Sequence, residues 1–254
     1  MLLIDKLSYR SKLRYVNASE KLMYAVLTLI LCILSRSVRV AALVFVINGI
    51  LTVGKGGIPL SRYIRLLMIP TAFLIAGTAA IVINISKVPM DAFAFRLGEW
   101  YITGSMAGIY RALELCATAL SAVTCLYFLS LNTVMTDILD ALRKLHFPSL
   151  LIEFMLLIYR FIFVLFQTAS AITVSQQARL GNRDFKTRVR SFGAMGSALF
   201  ILALKRSNML YDAMESRCYD GNIRVLTRMQ PARAGEIAVI AAIELILVLV
   251  WICG

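Results

Sequence analysis

Between Leu142 and Gly221 the chain carries two long helical patterns, each ending on an arginine that a glycine follows within a few residues. The first restarts at Pro148, runs through the apolar Leu150–Val174 and closes on Ala178, Arg179, Leu180 and Gly181. The second starts at Arg183 and closes on Ser216, Arg217, Cys218 and, a little further, Gly221. Glycine takes the left-handed conformation without strain, so the two arms are expected to stop on these glycines. Two helices that end alike, each with an arginine at its tip, read as a device for gripping something outside a membrane.

The second arm is a poor membrane span. Its apolar centre, Phe192–Leu204, is flanked by Arg188 and Arg190 before and by Lys205 and Arg206 after. Basic clusters at both ends place both ends on the same side. Gly193, Ala194, Ser197 and Ala198 form small-xxx-small pairs, which predict close approach of a second helix backbone. The first arm is long enough to cross, but Glu153, Arg160 and Gln167 recur every seven residues and draw a polar seam along it. Charges facing lipid are costly, so the seam must meet protein or water. The expectation is two long helices crossing at the cytoplasmic surface; an ordinary transmembrane hairpin is the alternative.

The rest of the chain is membrane material. Of 254 residues 60% are hydrophobic, and 27 Lys and Arg against 14 Asp and Glu give a net charge of +13. Beside apolar spans such an excess points to a cytoplasmic membrane face rather than to nucleic acid. The basic N-terminal 21 residues are unlike a cleaved signal and should stay cytoplasmic. Leu22–Leu34 and Val40–Val53 are short apolar runs, with Arg36 and Arg39 between them. They are read as a spanning hairpin with snorkelling ends, a re-entrant pair being the alternative. Leu66–Ile85, which contains Pro70 and Gly77, is a full span. Ser86–Thr103 holds Lys87, Asp91, Arg96 and Glu99 in balance, with Trp100 and Tyr101 suited to an outer interfacial belt. Gly104–Leu131 returns, with Arg111 and Glu114 expected to pair. Asn132–Leu145 is amphipathic and suits a helix on the membrane surface, and Pro148 suits the first position of the next helix. Asn222–Arg233 is a basic loop with Arg224 and Arg228. Ala234–Ile252 is the last span, with Glu244 in its middle either functional or hydrogen-bonded to a neighbouring helix. The fold class is therefore all-α and polytopic, with about five transmembrane helices. Its parts are a membrane domain (1–131), a cytoplasmic coupling domain (132–233) and a final helix (234–254).

Several chemistries lack their residues. Cys32, Cys116, Cys125, Cys218 and Cys253 are scattered and read as small apolar packers. His146 is the only histidine and has no ligand cluster near it in sequence, so neither a metal nor a cofactor is expected on this chain. There is no Gly-rich Lys-Ser/Thr phosphate loop, no nucleophile with a plausible base and no inverted repeat of a stand-alone carrier.

The order of these features resembles the transmembrane T component of energy-coupling factor (ECF) transporters, in the cobalt-type CbiQ group. The similar stretches are Ile4–Arg14, Ala141–Pro148, Ile158–Phe163 and the two arginine-tipped helix ends. The family's signature at those ends is Ala-Arg-Gly, twice; here Ala178-Arg179-Leu180 and Ser216-Arg217-Cys218 keep the arginines. The resemblance implies a subunit without catalysis of its own in a multi-pass bacterial or archaeal cell membrane. It implies two ABC ATPase partners, with ATP and Mg bound on them, and a separate membrane subunit that captures the substrate. Each arginine end would dock in one ATPase, and the long helices would pass its motion to the capture subunit. The implied cargo is cobalt, with nickel, biotin or another vitamin as alternatives. From another class, a membrane-embedded enzyme or stand-alone carrier competes.

Overall fold

The computed structural model describes residues 3–82, 84–86, 93–97, 100–221, 223, 231 and 233–252, the stretch 84–104 by its backbone alone. The side chains of Arg96, Trp100 and Tyr101 lie outside the described set, as do Lys87, Asp91, Glu99, Asn222, Arg224, Arg228 and Cys253 altogether. Helix α1 (Leu3–Arg10) and a short 3-10 turn (Lys12–Tyr15) precede α2 (Ala18–Ser35) and α3 (Val38–Gly49), which runs on as a π-helical turn, Ile50–Lys55. Then come α4 (Leu60–Val82), strands β1 (Asn84–Ser86), β2 (Phe93–Leu97) and β3 (Trp100–Gly104), and α5 (Met106–Asn132). Helices α6 (Met135–Lys144), α7 (Ser149–Ala178), α8 (Phe185–Glu215) and α9 (Ala234–Ile252) complete the chain. The strands form one small antiparallel sheet, β1-β3-β2, with Ile102 of β3 opposite both Ile85 and Phe95. It is an addition to an otherwise all-α fold that the sequence pattern does not foresee.

Six helical segments are long and apolar enough to cross a membrane: α2, α3 with its π turn, α4, α5, α7 and α9. The chain is an all-α polytopic membrane protein. Five of the six correspond to the expected spans, and α7 qualifies as the sixth by length and composition. The two short runs grow because polar residues join them. Helix α2 starts at Ala18, capped by the Asn17 side chain accepting from the Ser19 N–H at 2.9 Å, and so includes the buried Glu20 and Lys21. Each of these two segments reaches 18 residues, about 27 Å of helix against a hydrocarbon core of about 30 Å.

By its contacts the chain forms two compact units, Leu142–Thr227 and Leu2–Ala141 with Arg228–Gly254. In the larger unit α5 is the central helix, packed on α2, α3 and α4. Val40, Val44, Cys125 and Leu247 form one buried cluster, and Tyr24, Ala25 and Phe128 form another. Polar groups inside it reach from helix to helix. The Tyr24 hydroxyl donates to Asn48 Oδ1 at 3.0 Å, and Ser121 Oγ donates to the Ala41 carbonyl at 2.6 Å. Lys21 Nζ donates to the carbonyls of Leu13 (3.1 Å) and Asn132 (2.9 Å), and Ser11 Oγ to Asn132 Oδ1 (2.7 Å). Pro70 has no N–H for the carbonyl four residues back, and the Tyr127 hydroxyl supplies that bond to Leu66 O at 3.1 Å.

Two expected pairings are not made. Arg111 and Glu114 form no salt bridge; with Ile33, Arg36, Leu115 and Thr118 they line a cavity of about 530 Å³ instead. Both carboxylate oxygens of Glu244 are buried without a hydrogen-bond partner.

Candidate docking ends of two long helices

In the smaller unit α7 and α8 run antiparallel through the turn 179–184. Gln176 Nε2 donates to the Ser191 carbonyl at 2.8 Å, and Ser191 Oγ donates to the Gly181 carbonyl at 3.0 Å. The Thr173 hydroxyl meets Met195 Sδ at 3.4 Å. Towards the other end the two helices line a cavity of about 620 Å³, with Phe154, Ile158 and Phe161 on one side and Leu210 and Met214 on the other.

Both helices end in the same hydrogen-bonded closure. At the end of α7 the Gly181 N–H donates to the Gln176 carbonyl (2.7 Å) and the Leu180 N–H to the Gln177 carbonyl (3.1 Å). At the end of α8 the Tyr219 N–H donates to the Met214 carbonyl (3.1 Å) and the Cys218 N–H to the Glu215 carbonyl (3.0 Å). These pairs are a Schellman motif, twice, and they satisfy carbonyls that the helix leaves orphaned. Arg179 and Arg217 hold equivalent places, each one residue before the left-handed turn. Both are exposed, and among the described residues neither is engaged in a salt bridge or side-chain hydrogen bond.

The residues that take the left-handed turn differ from the expectation. They are Leu180 (φ 60°) and Cys218 (φ 56°), not Gly181. A Cβ in this conformation crowds the following carbonyl at a cost of about 1–2 kcal/mol. Gly181 is needed for space, because a Cβ there would lie 2.7 Å from the Gln176 carbonyl oxygen and 3.0 Å from Ser191 Oγ. Gly221 does take a positive φ of 86°, beyond the closure that ends α8. Cys218, expected as an apolar packer, is exposed. Helix α6 ends the same way, with His146 (φ 60°) as its left-handed residue. Pro148 sits at the N-cap of α7, one place before the expected position.

The polar seam comes apart into different environments. Glu153 is buried and accepts from the Tyr219 hydroxyl at 2.5 Å and from the Ile223 N–H at 2.9 Å, while Arg143 donates to the Ile223 carbonyl at 3.2 Å. That clasp ties the segment after α8 to the start of α7. The hydrogen bond to Glu153, with its negative charge, holds the Tyr219 hydroxyl above the ordinary tyrosine value. Arg160 and Gln167 are exposed. The small residues Gly193, Ala194, Ser197 and Ala198 are exposed too, and a Cβ on Gly193 would meet nothing within 4 Å. They do not pack α7 on α8; Ser191 and Met195, one turn-face away, make that contact. Sequence pattern marks neither Ser191 nor Tyr219. The polar pair Gln176-Gln177 at the end of an apolar helix is the legible hint of this closure. Among the described residues no three His, Cys, Asp or Glu side chains gather as a metal site.

Residues 10–229 match the CbiQ family, described as cobalt transport protein. The cobalt transport protein CbiQ of Salmonella typhimurium is 28% identical over 87% of this chain and 99% of its own length. The putative fused cobalt transport protein CbiMQ of Methanocorpusculum labreanum is 28% identical over 99% of this chain and 41% of its own. The energy-coupling factor transporter transmembrane protein EcfT of Staphylococcus aureus is 29% identical over 63% of this chain and 66% of its own. With its apolar helices and its twin arginine-tipped ends, the chain belongs to the CbiQ family, the cobalt-type transmembrane components of ECF transporters.

Proposed function

We propose that this chain couples two ABC ATPases to a separate substrate-capture membrane subunit, with cobalt as cargo. The observation that carries the proposal is the pair of equivalent Schellman ends, each presenting an exposed, unengaged arginine. A guanidinium without a partner among the described residues is free to pair with carboxylates in a groove, and the planar fork suits two parallel hydrogen bonds. The 31 residues of α8 lie between the two tips, about 46 Å at 1.5 Å per residue, whereas a small domain is about 30 Å across. Two like grips so far apart favour two like partners.

The family description supports cobalt, and the fused relative supports a membrane partner, since more than half of its length has no counterpart here. ATP and Mg belong on the ATPases in this reading, and the chain performs no catalysis. Its stiff long helices would carry ATPase closure to the capture subunit.

The test is Arg179→Ala, Arg217→Ala and the double variant, scored by membrane insertion, ATPase co-purification and cobalt uptake. Truncating a desolvated charge contact costs about 2–5 kcal/mol, so each single change should weaken ATPase binding more than about tenfold. Lysine at either position should restore little of it. A double variant that inserts and holds both ATPases like the wild type would overturn the proposal.

A further inference from the structure

At one end of the larger unit α1 and the 3-10 turn lie against the loop between the π turn and α4, two segments far apart in sequence. The Lys12 N–H donates to the Gly56 carbonyl at 3.1 Å, and Leu7 shares a buried cluster with Ile58, Tyr63, Leu67 and Leu131. With Leu7 and Tyr63 turned inward, Lys6, Arg10, Lys12, Arg14, Arg62 and Arg65 are all exposed. Among the described residues none of the six makes a salt bridge or donates a side-chain hydrogen bond. The acids near this end gather elsewhere: Asp137 and Glu236 act on the buried Lys21, and Glu20 and Glu236 line a cavity together with Lys55. Asp5, part-buried on α1, is the acid nearest in sequence, so the surface keeps a large excess of positive charge. That surface runs directly into an apolar one. Arg65, Ile69 and Phe73 recur every four residues and so share a face of α4, and Ile69 and Phe73 are 76% and 78% exposed. Within about one turn the exposed face passes from guanidinium to hydrocarbon. Tyr9 and Tyr15 stand exposed among the cations, with Arg14 at 4.9 Å from the Tyr9 ring centre, as suits a bilayer interface.

We propose that α1 and the first turns of α4 bind anionic phospholipid, phosphatidylglycerol in chemical class. Lys12, Arg62 and Arg65 meet its phosphate, and its acyl chains follow the face of α4 that carries Ile69 and Phe73. The order along that face, cation and then hydrocarbon, is the order of an anionic lipid read from its head inward. A zwitterionic lipid fits less well, because it brings its own ammonium against six cations. An acidic soluble protein matches the cations but leaves Ile69 and Phe73 in water.

The experiment uses the full chain in nanodiscs. Retention of phosphatidylglycerol is compared with that of phosphatidylcholine and phosphatidylethanolamine of the same acyl chains, and with soluble glycerophosphoglycerol, by native mass spectrometry and thermal shift. The expected result is a preference of about tenfold or more for phosphatidylglycerol, since each basic residue near an anionic surface is worth about fivefold. Lys12→Gln, Arg62→Gln and Arg65→Gln together should bring that preference to about twofold or less. The three side chains are exposed, and Lys12 bonds to Gly56 through its backbone, so this variant keeps its fold. Removing the same charge from α8 by Lys186→Gln, Arg188→Gln and Arg190→Gln should leave the preference intact. Equal retention of the three lipids, or an equal fall in both triple variants, overturns the proposal. Glycerophosphoglycerol stabilising as well as the lipid would overturn the lipid as the source. Loss of an ATPase from the Lys12, Arg62 and Arg65 variant with its lipid preference unchanged would assign the surface to an acidic protein instead.

Discussion

In the larger unit Lys21, Asn48 and Asn132 are buried and each reaches across to another segment; in α8 of the smaller unit no residue is buried. The first unit ties several buried polar groups from helix to helix and carries its own core clusters. The second leaves Phe185, Phe192 and Phe200 at 80%, 69% and 66% exposure along 31 residues of helix. Most helical stability in proteins comes from packing, and the described residues leave these side chains of α8 uncovered. The difference teaches where to look for each kind of effect: substitutions in the first unit act on folding, and those at the helix ends of the second act on assembly.

The largest expected break of this contrast is Lys21→Met. It removes the two hydrogen bonds that the ammonium donates, although the Leu13 carbonyl keeps the Val16 N–H. At about 1.5–3 kcal/mol for each hydrogen bond from a charged group, unfolding should become easier by about 3–6 kcal/mol. Thermal unfolding of the detergent-solubilised chain measures it. Arg179→Ala with Arg217→Ala should leave the same curve unmoved, and an equal loss there would erase the contrast.

Alanine at two glycines sharpens it further. A Cβ at Gly56 would run into the Thr52 carbonyl and lie 2.5 Å from Asn132 Oδ1, whereas a Cβ at Gly193 has open space. Gly56→Ala should destabilise by about 1–3 kcal/mol through overpacking. Gly193→Ala should stabilise α8 by about 0.5–1 kcal/mol, since glycine is a poor helix former. If a partner subunit packs on the small residues of α8, the same change will lower its affinity while the isolated chain gains stability.

What the sequence makes legible follows from which physical signal is local. Apolar runs mark α4, α5 and α9, and the arginine ends are visible because charge at a helix tip is a local pattern. The start of α2 is obscured, since Lys21 looks polar until the distant Asn132 carbonyl is seen to receive it. The left-handed stops are hidden for the opposite reason. Leucine and cysteine carry no sign of positive φ, and glycine nearby draws attention to the wrong residue. The small residues of α8 indicate a close approach, yet within the chain nothing approaches them.

Those hidden stops yield a smaller prediction. Leu180→Gly and Cys218→Gly each remove the crowding of a Cβ at positive φ and should stabilise the helix ends by about 1 kcal/mol. Amide exchange at residues 176–181 and 214–219 would report it as slower exchange. If either residue instead seats a partner, ATPase binding will fall while the isolated ends become more protected. Faster exchange in both variants would contradict the strain.

The smallest effect concerns the clasp between Tyr219 and Glu153. The Tyr219 hydroxyl donates to a buried carboxylate, and removing its proton would set two negative charges face to face, which is why its ionisation is pushed above the ordinary 10.0. A group whose value is raised on folding contributes stability that is complete below the unfolded value and is lost as pH rises through the folded one. The clasp should therefore hold through the neutral range and open only in strong alkali. The tyrosinate absorbance of the wild type minus that of Tyr219→Phe isolates this one residue. Its transition should lie above 10.0, and Glu153→Gln should move it back down by removing the facing charge. In Tyr219→Phe the Ile223 N–H keeps its own bond to Glu153, so the segment should loosen without detaching, and the proposed grip of Arg217 should persist. Ionisation of Tyr219 together with the exposed tyrosines, unaffected by Glu153→Gln, would show that the hydrogen bond does not persist in solution.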